Sequence, residues 1–269
     1  MSYDERPSAL EGATVWTRVA DGSASSVLPD GCMDLIWDGD AVIVAGPDTG
    51  PHVAWAAAGT SFVALRFQSG IGPAVLGVPA HAVRDQRLLL ADVAAAALGQ
   101  GRWGRDDVAR IEERLHAAAH PVDVLEAVAT ERLGISAADP IARPVLQLID
   151  AGRSVAEIAV AVGLSERQLH RRSLVAFGYG PKVLTRILRL QRALLLVRRG
   201  RSFAAAAAEA GYADQAHLAR EGRALTGGPL SALALPVVPT VEPADHHQSS
   251  VGSSANRSTP MPSGSSNDA

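Results

Sequence analysis

Two short stretches carry side chains able to read a nucleic-acid duplex: Ser165-Glu-Arg-Gln-Leu-His-Arg171 and Asp214-Gln-Ala-His-Leu-Ala-Arg220. Guanidinium and amide groups match base edges in the major groove, arginine pairing bidentately with guanine and glutamine with adenine. With Leu169 turned to a core, Arg167, Gln168, His170 and Arg171 fall on the exposed side of a helix opened by Ser165 and running to about Phe177. Arg171 suits guanine, while Arg167 or His170 reaches a base edge or a phosphate. In the second stretch Gln215 suits adenine, Arg220 suits guanine or phosphate, and Ala216 can lie against a thymine methyl.

Such side chains need a helix to present them, and the surrounding sequence supplies one twice. Ser154 to Arg171 and Ser202 to Arg220 each read as a serine cap, a short apolar helix, a glycine turn (Gly163-Leu-Ser165, Gly211-Tyr-Ala-Asp214) and a second, newly capped helix. That is a helix-turn-helix written twice. Between the two, Pro181 to Arg199 reads as one long helix ended by Gly200. A helix of that length spans roughly 28 Å at 1.5 Å per residue. It suits two reading helices placed ~34 Å apart, one duplex turn, so that one chain enters two adjacent major grooves.

Charge agrees with this division. The 269 residues carry 25 basic and 28 acidic side chains, a net charge of −3. The balance is −9 over 1–140, +8 over 141–235 and −2 over 236–269. A basic module for a polyanion joined to an acidic part with another task is the expected organisation. The stretch 236–269 is rich in Pro, Ser and Gly, lacks periodic apolar residues and reads as a disordered tail, its His246-His247 pair included.

These motifs resemble the AraC/XylS-type DNA-binding domain, in which two helix-turn-helix units share one long helix. The matching words are Glu157-Ile-Ala159, Gly163 to Arg172, Phe177-Gly178 with Pro181, Arg189-Leu-Gln-Arg-Ala193 and Gly211 to Arg220. The resemblance implies base-facing positions at Arg167, His170 and Arg171 in the first unit and at Gln215, Ala216 and Arg220 in the second. The sequence departs from the pattern at Ser173 and Gly222, where the family has a buried aromatic, at Ala206, and in the shortened Thr226-Gly-Gly-Pro229 turn. Loss of a buried aromatic costs about 3–5 kcal/mol. The second unit is therefore expected to pack loosely, leaving most of the specificity to the first.

The front half reads as short β runs separated by Gly, Pro and Asp: Ala13 to Val19, Cys32 to Trp37, Ala41 to Ala45, Val53 to Trp55 and Ser61 to Phe67, with Asp38-Gly39 as a hairpin turn. Helical spacing follows from Ala91 to Leu133. The expected fold is α+β: a small β-rich domain (a partial barrel) with helices over 1–140, then an all-α domain over 141–235. Leu28 to Trp37, Ala45-Gly-Pro47, Val63 to Phe67 and Pro73 to Pro79 resemble an N-terminal domain of uncharacterised function found in some of these regulators. By that analogy it binds an effector or dimerises. Trp37, Trp55 and Arg66 are the candidate effector residues, Arg66 for an anionic group; plain core is the competing reading of the aromatics.

No catalytic residue, metal site or cofactor is expected. His52 and His81 are isolated, and no nucleophile elbow, phosphate loop or dinucleotide fingerprint occurs. The one cysteine, Cys32, stands between Asp30 and Asp34, whose charge disfavours a thiolate. No apolar run approaches the roughly 20 residues of a bilayer helix, and the start lacks a secretory segment. The sequence thus reads as a cytoplasmic transcription factor for double-stranded DNA, with no membrane partner. A small-molecule effector and a second copy of the chain are candidate partners, and RNA polymerase is a third if the output is activation, which the sequence leaves open. The alternatives are a protein-interaction regulator with a degenerate helix-turn-helix, or a DNA-tethered enzyme with an N-terminal small-molecule site.

Overall fold

A computed structural model of the chain describes residues 2–96, 103–135 and 137–229. The tail expected over 236–269 lies outside them. In chain order the front half contains β1 (Ser2–Pro7), β2 (Ala13–Val19), β3 (Ser25–Val27), β4 (Met33–Trp37), β5 (Val42–Ala45), β6 (His52–Ala54) and β7 (Ser61–Phe67). Next come α1 (Gly72–Leu76), a 3-10 turn (Ala80–Ala82), β8 (Arg87–Leu89), α2 (Leu90–Ala95), α3 (Arg105–Ala117) and α4 (Pro121–Ile135).

Six strands form one antiparallel sheet in the order β1-β2-β7-β4-β5-β8, while β3 and β6 pair separately. The large sheet does not close: β1 and β8 are its edges. Its central strands are covered on both faces, which is why Leu35, Ile36, Val42, Ile43 and Val44 run on as consecutive apolar residues without polar alternation. Val15, Leu35, Val44, Leu65 and Phe67 face a core shared with Val75, Leu90, Val108, Ile111, Leu125 and Val128 of the helices. Trp16, Ala64, Ile36, Ile43 and Leu89 line up across neighbouring strands on the opposite face, where Ala20, Ala56 and Phe62 join them. Each large side chain so enclosed contributes about 1.5–3 kcal/mol.

The second half is helical: α5 (Ala142–Asp150), α6 (Val155–Ala161), α7 (Glu166–Phe177), α8 (Pro181–Arg198), α9 (Phe203–Glu209) and α10 (Gln215–Thr226). Leu184, Ile187, Leu190, Ala193 and Leu194 of α8 repeat at helical spacing and hold one core with Ile158, Leu169 and Phe177 on one side and Ala207, Tyr212, Leu218 and Leu225 on the other. Leu28, from the front half, is buried in this same core.

The two halves meet through specific polar contacts at the joint between α7 and α8 and along those two helices. The Tyr179 hydroxyl donates to the Asp48 carbonyl at 2.7 Å, and Arg84 donates to the Gly178 carbonyl at 3.0 Å. Gln191 of α8 donates to the Pro29 carbonyl at 2.6 Å, and His81 Nδ1 lies 3.2 Å from the Leu174 carbonyl. The 3-10 turn carrying His81 packs directly on α7.

Candidate nucleic-acid interface

The two units are built to one plan. In the first, a 7-residue α6 precedes a 12-residue α7; in the second, a 7-residue α9 precedes a 12-residue α10. Ser154 and Ser202 cap the first helices, their hydroxyls accepting from the Glu157 and Ala205 amides. The turns are equivalent: the Leu164 amide reaches the Ala159 carbonyl and the Tyr212 amide the Ala207 carbonyl, at 2.9 and 2.8 Å. Gly163 and Gly211 stand at φ of +69° and +82° to make these turns, a conformation that a side chain would strain.

Ser165 opens α7 by a reciprocal box with Gln168. Its hydroxyl accepts from the Gln168 amide at 3.3 Å, while its own amide donates to Gln168 Oε1 at 2.8 Å. Asp214 opens α10, accepting from the His217 amide at 2.6 Å. Leu169 and Leu218, each at the fourth position, are fully buried. Ser165, Arg167, Gln168, His170 and Arg171 are exposed on the first unit, and Gln215, Ala216 and Arg220 on the second.

These residues are not equally available. Gln168 Oε1 is engaged in the cap, leaving its NH2 group as the outward donor. The His170 ring leans against the start of α8, so that a methyl group placed on Gly180 would come within 2.5 Å of it. Arg167, Arg171, Gln215 and Arg220 have no such engagement in the described contacts. Arg172, beside them, is instead paired with Asp139 through Nε at 3.2 Å and through a second, shorter bond.

Sequence reasoning did not find what holds α10 in place. Glu221 accepts from Arg189 of α8 at 2.9 Å and lies 3.7 Å from both Arg186 and His217. The Arg189 guanidinium also stacks on the Tyr212 ring, 4.4 Å from its centroid. Burial alone would lower Arg189; Glu221 outweighs it and holds the guanidinium above its ordinary value. The signal was present in the repeated Arg186, Arg189 and Arg192, one helical face of α8. At the family-departing positions, Ser173 and Gly222 are both buried and both stand eighth in their helices. The Thr226 hydroxyl donates to the Gly222 carbonyl at 2.8 Å.

The three candidate effector residues do not converge. Trp37 is buried in the helix-facing core with its ring edge-on to His116 at 4.8 Å. Trp55 is half exposed and donates to the Gly22 carbonyl at 2.9 Å. Arg66 lies on the opposite sheet face from Trp37, 3.3 Å from Asp34 and 3.7 Å from Asp30, so its charge is already met. The Cys32 thiol is pushed well up by burial and by Asp30. Among the described residues no three His, Cys, Asp or Glu side chains gather as a metal site, and no helix is long and apolar enough to cross a membrane.

Two capped helix-turn-helix units on one connecting helix, each presenting an exposed arginine from its second helix, define a DNA-binding transcription regulator. Residues 158–234 match the family described as "Helix-turn-helix domain", and residues 13–89 match the "Domain of unknown function (DUF6597)". The chain therefore joins an AraC-type helix-turn-helix domain to an N-terminal domain of unknown function. A comparison with curated protein sequences finds no match. Among solved structures, the apo form of a single-residue variant of ToxT from Vibrio cholerae is similar at a TM-score of 0.47 and 11% identity, over 85% of this chain and 99% of that one. Unsaturated fatty acid bound wild-type ToxT, also from Vibrio cholerae, is similar at 0.44 and 12%, over 86% and 97%.

Proposed function

We propose that the chain is a sequence-specific regulator that reads two adjacent major grooves of one duplex. Arg167 and Arg171 of α7 contact bases or phosphates in one groove, and Gln215 and Arg220 of α10 do so in the next; Ala216 lies against bases without donating. His170 and Gln168 serve chiefly to seat α7, and Ser165 starts it. The observation that carries this reading is the equivalence of α7 and α10, each with leucine buried at its fourth position and arginine exposed at its sixth. An 18-residue α8 between them spans about 27 Å. That length suits two such faces set to enter successive grooves.

Residues 1–140 act as the controlling part and 141–235 as the reading part. The bonds from Asp48 and Arg84 to the α7–α8 joint and the contact of His81 with the last turns of α7 support a front half that sets the posture of the first reading helix, while Pro29 holds the middle of α8. Sequencing of genomic duplexes retained by the purified chain at controlled salt tests the reading. A recurrent motif with two half-sites about 10 base pairs apart supports it, and retention without any motif contradicts it. Affinity falling steeply with salt marks the arginine–phosphate share of the binding.

A further inference from the structure

Three arginines lie on the sheet face that looks away from the helices, and two have carboxylates. Arg66 has Asp34 and Asp30; Arg87 holds Asp48 through two bonds, at 2.6 and 2.8 Å. Arg18 has nothing comparable. It stands between Tyr3 and Phe62 in the strand ladder and is 1% exposed, and Nε and both terminal nitrogens are closed off from solvent without a hydrogen-bond partner. The electrostatics follow the difference. Burial lowers Arg18 from its ordinary value by more than Asp21 raises it, whereas in Arg66 and Arg87 burial is outweighed by carboxylates and the guanidinium is raised.

A guanidinium cannot escape this by losing its proton. A buried charge left without a bonded counter-charge is unfavourable, and its usual remedy is an ion or a bidentate acceptor. The neighbourhood is apolar: Trp16, Ala20, Ala56 and Phe62 form the adjoining cluster. The turn leaving β2 and the turn entering β7 flank Arg18 and are tied by the Ala20 amide to the Thr60 carbonyl, by the Gly59 amide to the Ala20 carbonyl, and by Trp55 to Gly22. Asp21, in the first of these turns, is engaged with Ser23 at 2.5 and 3.0 Å. Val53, exposed, and Trp55, half exposed, lie in the segment that leads into the second turn.

We propose that Arg18 anchors a site for a small organic anion, its carboxylate or phosphate on the guanidinium and its apolar body toward Phe62 and Trp55, admitted by movement of the 20–24 and 55–60 turns. The site is independent of DNA binding and belongs to the front half alone.

The test uses the full chain without DNA, at constant ionic strength made up with chloride. Benzoate and inorganic phosphate are titrated separately, with benzamide as the uncharged control, and melting temperature and tryptophan emission are read. Benzoate is expected to raise the melting temperature by several degrees and to saturate, with benzamide inert. A response to phosphate equal to that of benzoate assigns the site to the anion alone; a response to benzoate only assigns it to an anion with an apolar body. Arg18→Met is expected to melt higher than the parent when ligand-free and to show no anion response. An Arg18→Met chain that melts lower or fails to fold overturns the proposal, because the guanidinium is then a structural partner. So does benzoate binding that survives the substitution, or a dimer lost in Arg18→Met, which would make a second copy the partner.

Discussion

Arg171 and Arg220 occupy the same position, the sixth, of two 12-residue helices that each bury a leucine two residues earlier. From Glu166 to Phe177 and from Gln215 to Thr226 the helices align without a gap, so that Ser173 matches Gly222 and Ala176 matches Leu225. The registers coincide although the turn before α10 is one residue longer. The repetition therefore preserves the direction in which the arginine leaves the helix.

Arg171→Ala should cost about 1–3 kcal/mol of specific binding and relax preference at one base position. Arg220→Ala should do the same at a second position about one duplex turn away. Both side chains are exposed, so the melting temperature should not change. Fluorescence anisotropy on duplexes altered at single positions checks this; unchanged discrimination in both variants would count against base reading.

Glu221→Gln removes the negative charge that Arg189, Arg186 and His217 share and sets an NH2 group in place of one carboxylate oxygen, at a side chain only 11% exposed. Bonds to charged groups are worth about 1.5–3 kcal/mol. Amide exchange should accelerate in α9 and α10 while the sheet stays protected. Uniform acceleration across both halves would show that Glu221 is not specific to the second unit.

Tyr179→Phe deletes the bond to the Asp48 carbonyl at a buried site. The variant should lose about 1 kcal/mol of stability, and DNA affinity should fall although Tyr179 is not on the reading face. Equal DNA affinity in variant and parent would indicate that the front half does not govern the posture of α7.

The start of α6 should be acid-sensitive. The Glu157 carboxyl is held below its ordinary 4.5, first by the Ser154 amide, then by the Ser154 side chain and Arg153. A lowered carboxyl stabilises fully above the unfolded value and progressively less as the pH drops through the folded one. The protection of the α6 amides, taken relative to the intrinsic exchange rate at each pH, should therefore fall below about pH 4.5, and Glu157→Gln should flatten that dependence. A slope identical in the variant would assign it to another group.

Much of this organisation was legible in the residues. Serine caps, glycine turns and Leu169 with Leu218 are local signals, and the helices begin and end where those signals stand. Strands β2 and β7 were readable to the residue from their apolar runs. Strand β1 was not, because an edge strand with five of six residues exposed, Ser2–Pro7, carries no apolar pattern. Strands β3 and β8 are three residues each, too short to show a period. Long-range pairing was the other gap: nothing in the sequence distinguishes Arg66, which meets Asp34 across the ladder, from Arg18, which meets Phe62. For the same reason the lean of His170 onto Gly180 and the reach of Gln191 to Pro29 depend on the assembled fold.

Hydroxyl-radical footprinting of the full chain on its preferred duplex bears most directly on the two-groove reading. The expected pattern is two protected patches on one face, about 10 base pairs apart, with Arg171→Ala weakening one and Arg220→Ala the other. A single patch, or two patches that both variants weaken alike, would contradict the assignment of one groove to each helix.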